Sequence, residues 1–440
     1  MGIEIMPIGG HSEIGKNCTG VKVDDEIVIL DMGLHMEHYI NHTDSTDSDD
    51  LVDMSPKTLI DVDAAPDVRI LGDLKKKVVA ICISHAHLDH VGAVPFLSNK
   101  FDCPIYSTPF TIELLRTIIK DEKIDLKNEL VKQKENSRFK ISKNIEIEFI
   151  KVTHSTPQTV MIAVHTKYGT ILYVNDMKLD DHPMLGKKTN IKRLKELKVK
   201  ILILNCLYST TPGKTPSEKV PEEMLKEILL NTDTKRKNIF VTTFSSQIAR
   251  IKTVRNIAKK IGRKVIFLGR SLAKYSFAAE KAEITKLSNV KIVKFSSKVK
   301  KFLSRLDNTE KYLFIVTGNQ GEPKSTLSKI VYNNYFHFKP KDIVIFSCTV
   351  IPVPGNSENR EKLEAALKQK HVSIYKDVHA SGHARLEDHR TFLNMTNPEH
   401  LIPVHGDKLR AEAMKKMAIE EGLKEKNIHI LKNGQRIEIS

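Results

Sequence analysis

An α/β fold is predicted by two features of the amino-acid sequence, and a third bears on what it binds. Short apolar runs with strand character recur along the chain, separated by stretches of helical periodicity. Many of these runs stop at a histidine, a carboxylate or a small polar residue. The excess positive charge is confined to one internal segment: residues 208–370 carry 32 Lys and Arg against 14 Asp and Glu, a net +18, and the remainder carries 38 against 40. A chain of 440 residues is long enough for two or three domains. Charge confined in this way points to a polyanionic substrate held over a site built by the other segments. The longest apolar runs are about seven residues, far short of a membrane span, so no membrane partner is expected. Cys18, Cys82, Cys103, Cys206 and Cys348 are odd in number, scattered, and mostly inside apolar runs. They read as reduced thiols of a cytoplasmic protein.

Residues 3–8, 18–23 and 26–31 read as strands. Asp31 ends the third, and a carboxylate there either orients a ligand histidine or caps a turn. Residues 41–55 are acidic, polar and aperiodic, and read as an exposed loop. Residues 78–83 read as a fully buried strand and 91–97 as the start of a helix. Between them lies His85-Ala86-His87-Leu88-Asp89-His90, four ligand-type side chains in six residues. In an extended stretch His85 and His87 point to one side and can share an ion. Asp89 and His90 follow where the chain bends, and can face a second ion. Imidazoles with a carboxylate suit zinc or manganese, and the absence of Cys argues against a closed structural zinc site.

A helix is expected over 109–134, then strands at 145–152, 159–166 and 169–174. His154 stands just past a strand end. Asp176 ends a buried strand, where a carboxylate needs a cation or hydrogen-bond donors, and it is suited to bridge two metals. A strand at 201–206 leads into the basic segment, where strands at 239–244, 264–269, 290–295, 312–318 and 342–348 alternate with helical stretches. That alternation implies a parallel sheet covered by helices. The turns at 243–246, 269–271, 317–322 and 347–349 are small and polar, and most open a helix, which favours a phosphate-rich ligand. Beyond 370 come strands at 373–378 and 401–404, a helix at 408–422, and closing strands at 428–431 and 436–439. His379, His383 and His405 again stand past strand ends.

The series Asp31, His85-x-His87-x-Asp89-His90, His154, Asp176 resembles the metallo-β-lactamase fold, an αββα sandwich with two metals at one edge of its sheets. The basic insert followed by His383 and His405 resembles the β-CASP nucleases. The stretches 243–250, 269–271, 317–323 and 379–384 resemble the ribonuclease J family, in its shorter archaeal form. The resemblance implies a metallo-β-lactamase domain built from 1–207 and 371–440, with a Rossmann-like β-CASP domain at 208–370. It implies two divalent ions, zinc or manganese, one held by His85, His87 and His154, the other by Asp89, His90 and His405, with Asp176 between them. Three positions depart from the family pattern: Asn205 replaces an acidic residue, Asn175 a glycine, and Asp407 a glutamate.

The chemistry implied is hydrolysis of RNA phosphodiesters, 5′ to 3′ from a 5′-monophosphate end, leaving 5′-phosphate and 3′-hydroxyl products. Two ions lower the pKa of water and stabilise an in-line displacement. His383 would assist the leaving oxygen, Asp89 would help position the attacking water, and Asp31 would orient a ligand histidine. The 5′-phosphate is expected to meet His379, Ala380, Ser381, Gly382 and His383, with Ser245, Ser246 and the turn Gly318, Asn319, Gln320, Gly321 opposite. Phe244 and Tyr208 are candidate stacking surfaces. Single-stranded RNA is the expected partner, and a homodimer the expected assembly. An endonuclease of the same superfamily and a non-catalytic RNA-binding subunit are the alternatives.

Overall fold

The computed structural model describes residues 2–44, 52–287, 290–351 and 355–439. The chain forms two compact units, one from Met1–Asp181, Lys187–Thr215 and Gly382–Ser440, the other from His182–Gly186 and Pro216–Ser381. The sequence pattern predicts crossings at 207/208 and 370/371. The polypeptide changes unit at Thr215/Pro216 and Ser381/Gly382.

The first unit contains two sheets. One has seven strands: β1 (Ile3–Gly9), β2 (Cys18–Val23), β3 (Glu26–Leu30), β4 (Val78–Cys82), β5 (Ile105–Ser107), β6 (Leu130–Lys132) and β19 (Ile437–Ile439), in the order β19-β1-β2-β3-β4-β5-β6. The other has six: β7 (Ser137–Lys140), β8 (Glu146–Lys151), β9 (Val160–Thr166), β10 (Gly169–Val174), β11 (Val199–Asn205) and β18 (His400–Val404), in the order β18-β11-β10-β9-β8-β7. Alternate side chains of the two sheets share one core. Ile3, Ile5, Val28, Leu30 and Ala80 from the first pack with Ile147, Phe149, Ile162, Tyr173, Ile203 and Val404 from the second. Residues of opposite parity on the second sheet, among them Met161, Leu172, Leu202 and Leu401, pack against the helices Leu386–Thr396 and Lys408–Glu420.

Parallel pairing decides where the polar strand ends meet. β10, β11 and β18 run parallel in register, with Val174 opposite Leu204 and Asn205 opposite Val404. β8 runs antiparallel to β9, and β9 antiparallel to β10, so β8 points the same way. The residues after β8, β10, β11 and β18 therefore emerge at one sheet edge. β3 and β4 are likewise parallel, bringing Asp31 beside the turn after β4.

The second unit is built on one six-stranded parallel sheet: β12 (Ile239–Thr242), β13 (Lys264–Leu268), β14 (Lys291–Val293), β15 (Tyr312–Val316), β16 (Ile343–Phe346) and β17 (Ser373–Tyr375), in the order β14-β13-β15-β12-β16-β17. Phe240, Phe314 and Phe346 centre its core, with Leu327, Ile330 and Leu363 from the helices.

Four expectations need correction. The helix foreseen over 109–134 stops at Glu122, because Lys123 turns left-handed at φ 53° and caps it; β6 and β7 follow. Of the loop foreseen at 41–55, residues 41–44 complete the helix Met36–Asp44, residues 45–51 lie outside the described residues, and Ser55 caps the helix Pro56–Asp61. The helical start at 91–97 is two short helices, Leu88–Val91 and Val94–Leu97. Residues 428–431 form only a single bridge, Ile428 to Leu401, not a strand. Among the described residues, no helix is long and apolar enough to cross a membrane.

Candidate metal centre

The edge of the first unit gathers six imidazoles and three carboxylates. Ligand-type atoms of His85, His87, His154 and Asp176 lie within 4.8 Å of one another, and so do those of Asp89, His90 and His405. Asp176 Oδ2 links the two groups. It stands 3.4 Å from His85 Nε2, 3.4 Å from His154 Nε2, 3.8 Å from His87 Nδ1 and 3.5 Å from His90 Nε2. These gaps are long for hydrogen bonds, and among the described residues Oδ2 is a buried oxygen without a hydrogen-bond partner.

Four of the rings are fixed by their other nitrogen. His90 Nδ1 donates to Asp31 Oδ2 at 2.7 Å, His154 Nδ1 to the Gly382 carbonyl at 2.7 Å, and His405 Nδ1 to Asn17 Oδ1 at 2.9 Å. Ser84 Oγ donates to Asp31 Oδ2 at 2.8 Å, so it accepts from His85 Nδ1 at 2.9 Å. In all four rings the Nε2 lone pair is thereby turned to the site. His87 offers Nδ1 instead, 3.1 Å from His85 Nε2 and 3.2 Å from His154 Nε2. Tetrahedral ligands about 2.05 Å from one zinc are separated by about 3.3 Å, so the three nitrogens fit a single ion.

The electrostatics fit as well. Burial pushes His85 and His405 down to about 4 and His154 well below the ordinary imidazole value, which keeps their lone pairs available. Burial also opposes charge on His90, yet Asp176, Asp89 and Asp31 raise it well above that value. Neutral imidazoles around buried carboxylates, in the two groups described, suit divalent metal ions.

Backbone geometry serves the same end. Asp31 at φ 59° and His405 at φ 56° adopt the left-handed region that non-glycine residues rarely enter. The segment after β3 lies backbone to backbone on the His-rich turn: Met32 N donates to His90 O at 2.8 Å and Leu34 N to Leu88 O at 2.9 Å. A Cβ at Gly33 would come 1.7 Å from Asp89 O, so only glycine fits.

His383 stands at the mouth, one-fifth exposed, with Nδ1 3.7 Å from Asp176 Oδ1 and its ring parallel to His405 at 6.1 Å. Asn205 donates from Nδ2 to Asp176 Oδ1 at 2.8 Å and accepts from Leu207 N at 2.7 Å. An amide at this position thus orients Asp176 directly. Asn175 is occupied elsewhere, donating to the Tyr173 hydroxyl at 2.6 Å. Asp407 caps the helix Lys408–Glu420 through Arg410 N.

Three families of sequence model match the chain: "Metallo-beta-lactamase superfamily" at residues 50–205, "Ribonuclease J, beta-CASP domain" at 236–366, and "Zn-dependent metallo-hydrolase RNA specificity domain" at 371–431. The chain is 39% identical over 446 residues to Ribonuclease J of Methanocaldococcus jannaschii, covering 99% of this chain and 98% of that one. To Ribonuclease J of Pyrococcus abyssi it is 39% identical over 444 residues, covering 99% and 97%. The chain belongs to the ribonuclease J family. To the Thermus thermophilus member it is 33% identical, covering 92% of this chain and 68% of that one. The crystal structure of a protein of unknown function from Enterococcus faecalis V583 shares the fold, with TM-score 0.68 at 18% identity over 100% of both chains.

The remaining expected residues of this ribonuclease J family member divide between the units. Gly382 and His383 belong to the first, His379, Ala380 and Ser381 to the second. Ser245 and Ser246 follow β12 and the turn Gly318–Gly321 follows β15; these strands are parallel neighbours, so both turns sit at one edge of the second sheet. His379 lies 6.2 Å from the Phe244 ring. Gln320 is committed to backbone: Nε2 donates to Thr349 O at 3.1 Å and Oε1 accepts from Ile351 N at 2.7 Å. Asn319 O accepts from Arg360 Nη1 at 2.8 Å.

Sequence reasoning missed Asn17, Ser84, Tyr173 and Arg250. Tyr173 donates to Asp31 Oδ2 at 3.0 Å. Arg250, fully buried, donates to Glu218 at 2.6 Å, Ser347 Oγ at 2.7 Å and Val378 O at 2.9 Å, tying the start of the helix Lys219–Asn231 to the turns after β16 and β17 of the second unit. Ser84 had a signal, its adjacency to His85. Asn17 had none beyond a polar residue entering a strand.

Proposed function

We propose that this chain is a metal-dependent ribonuclease that degrades single-stranded RNA from its 5′ end, prefers a 5′-monophosphate, and leaves 5′-phosphate and 3′-hydroxyl products. The observation that carries the reading is the divided His/Asp cluster around Asp176 Oδ2 in a ribonuclease J family chain. His85, His87 and His154 would hold one divalent ion and Asp89, His90 and His405 a second, with Asp176 between them. Zinc suits these donors, and manganese is the alternative. Such ions supply acidified water and neutralise charge on the phosphodiester.

The chain's own groups do the rest. Asp89, with its side chain partly exposed beside His90, accepts a hydrogen bond from the attacking water. His383 donates to the leaving 3′-oxygen. Asp31 and Asn17 hold His90 and His405 in one tautomer. His379 to His383, with Ser245, Ser246 and Gly318 to Gly321, are proposed to receive the terminal phosphate. The five cysteines are all buried and unpaired, which supports a reducing compartment such as the cytoplasm, and a homodimer is the proposed assembly.

RNA labelled at each end in turn tests the reading. A 5′-monophosphorylated substrate should release its 5′ label as mononucleotide from the earliest time points, and a 5′-triphosphate should slow the reaction. Degradation of circular RNA at a comparable rate would replace the exonuclease with an endonuclease. Absence of hydrolysis by zinc- and manganese-loaded protein would remove the ribonuclease reading.

A further inference from the structure

The edge strand β14 and the helix Ser296–Leu303 that follows it enclose an open cleft of about 650 Å³ on the second unit. Its lining joins Lys291, Lys298, Lys301 and Arg305 to Phe295 and Phe302. Residues 284–306 contain seven Lys or Arg and no Asp or Glu. Lysine on an edge strand is a common guard against strand pairing, and lysine on a helix is often just a solvated face. Neither explains the apolar side chains. Phe295 is 47% exposed and Ile292 37% exposed, beside the cations rather than in the core. Lys298 Nζ stands 5.5 Å from the Phe295 ring centroid and Lys291 Nζ 4.5 Å from that of Phe302.

We infer that this cleft is a binding site for single-stranded RNA, separate from the metal centre, in which Phe295 stacks on a base while Lys298, Lys301 and Arg305 hold the flanking phosphates. Cations track a backbone of phosphates, and an aromatic face among them accepts any base, so the pairing fits a strand gripped without regard to sequence. An acidic protein segment would satisfy the lysines but has no use for an exposed ring at their centre. The inference takes from the ribonuclease reading only the identity of the polyanion.

The test uses the full-length metal-loaded protein and a phosphorothioate-linked oligouridylate of about 30 nucleotides, with base-free polyphosphate as the comparison. Lys298→Glu with Lys301→Glu should weaken both ligands about tenfold or more and make the salt dependence of oligouridylate binding shallower by about 1.4 in log–log slope, about 0.7 per lost contact. Phe295→Ala should weaken oligouridylate about fivefold, leave polyphosphate unchanged, and be rescued by Phe295→Trp. Hydrolysis of bis(p-nitrophenyl) phosphate should stay at the wild-type rate in every variant. The milder pair Lys298→Ala and Lys301→Ala should show the same trend with a native melting curve. Unchanged oligouridylate affinity and slope in the charge-reversed variant, while wild type still degrades RNA, would overturn this site alone. Equal loss of both ligands in Phe295→Ala would also overturn it. A wild-type protein that neither binds nor degrades RNA would end the ribonuclease reading and this site with it.

Discussion

Asp31 and Asn205 show how single side chains set the centre. Asp31 accepts from Ser84 N at 2.7 Å, Ser84 Oγ at 2.8 Å, His90 Nδ1 at 2.7 Å and the Tyr173 hydroxyl at 3.0 Å. It steers His90 directly and His85 through Ser84. Outer partners of this kind are worth about 10- to 100-fold in metal affinity. Asp31→Ala should therefore retain less metal than wild type after dialysis at fixed free zinc, with the loss read by elemental analysis. Asn205 acts on Asp176 from the opposite side. Asn205→Ala leaves a buried carboxylate oxygen short of a donor and should cost the metal-free chain about 1–3 kcal/mol, read by chemical denaturation. Asn205→Asp sets two carboxylates together. It should lower the melting temperature of chelated protein, and saturating zinc should shrink that deficit. A deficit indifferent to zinc would mean that Asn205 acts on packing rather than on the cage.

Strands and helices deliver these groups to one edge, and a polar clamp keeps the second sheet and its helix in register. Glu148 on β8 accepts from His165 Nε2 on β9 at 2.8 Å and from Arg193 on the helix Ile191–Glu196 at 2.7 and 2.9 Å. Burial pushes its carboxyl up, but these two partners outweigh burial and bring it down to about 2 from an ordinary 4.5. A depressed carboxyl stabilises the fold fully above its unfolded value and loses that contribution as pH falls through the folded one. Glu148→Gln should cost about 2 kcal/mol at neutral pH, and the gap to wild type should close between pH 4.5 and 2. Denaturant midpoints measured across that range check the sign: a gap that widens on acidification would contradict it.

Taken whole, the first unit is assembled from three separated segments, with β19 paired to β1 and β18 to β11. Its centre draws on both ends of the chain: His405 N donates to Gly10 O at 2.7 Å, and Asn17 reaches His405. Ions bound only by this assembled state stabilise it by mass action. Chelation should lower the melting temperature of the first unit, and zinc should restore it in proportion to the logarithm of free zinc. The second unit, which holds none of the proposed ligands, should melt at an unchanged temperature in the same calorimetric scan.

The sequence by itself determined the chemistry-bearing turns, the α/β class and the basic insert. Four ligand-type residues in six, and strand runs of alternating or continuous apolar character, are local signals that survive without knowledge of the fold. Tertiary structure alone decided which strand ends share an edge, because parallel register sets Asp31 beside the turn after β4 and Asp176 near His405, and packing of the two sheets on one core brings the two sets together. It also decided the tautomers, since the partners that orient the rings, Asn17, Ser84 and the Gly382 carbonyl, come mostly from elsewhere in the chain. The early end of the helix at Glu122 was hidden for a like reason: Lys123 is an ordinary residue that only its left-handed backbone marks as a cap. Periodicity records what a segment buries, whereas hydrogen bonds between distant segments leave no periodic trace.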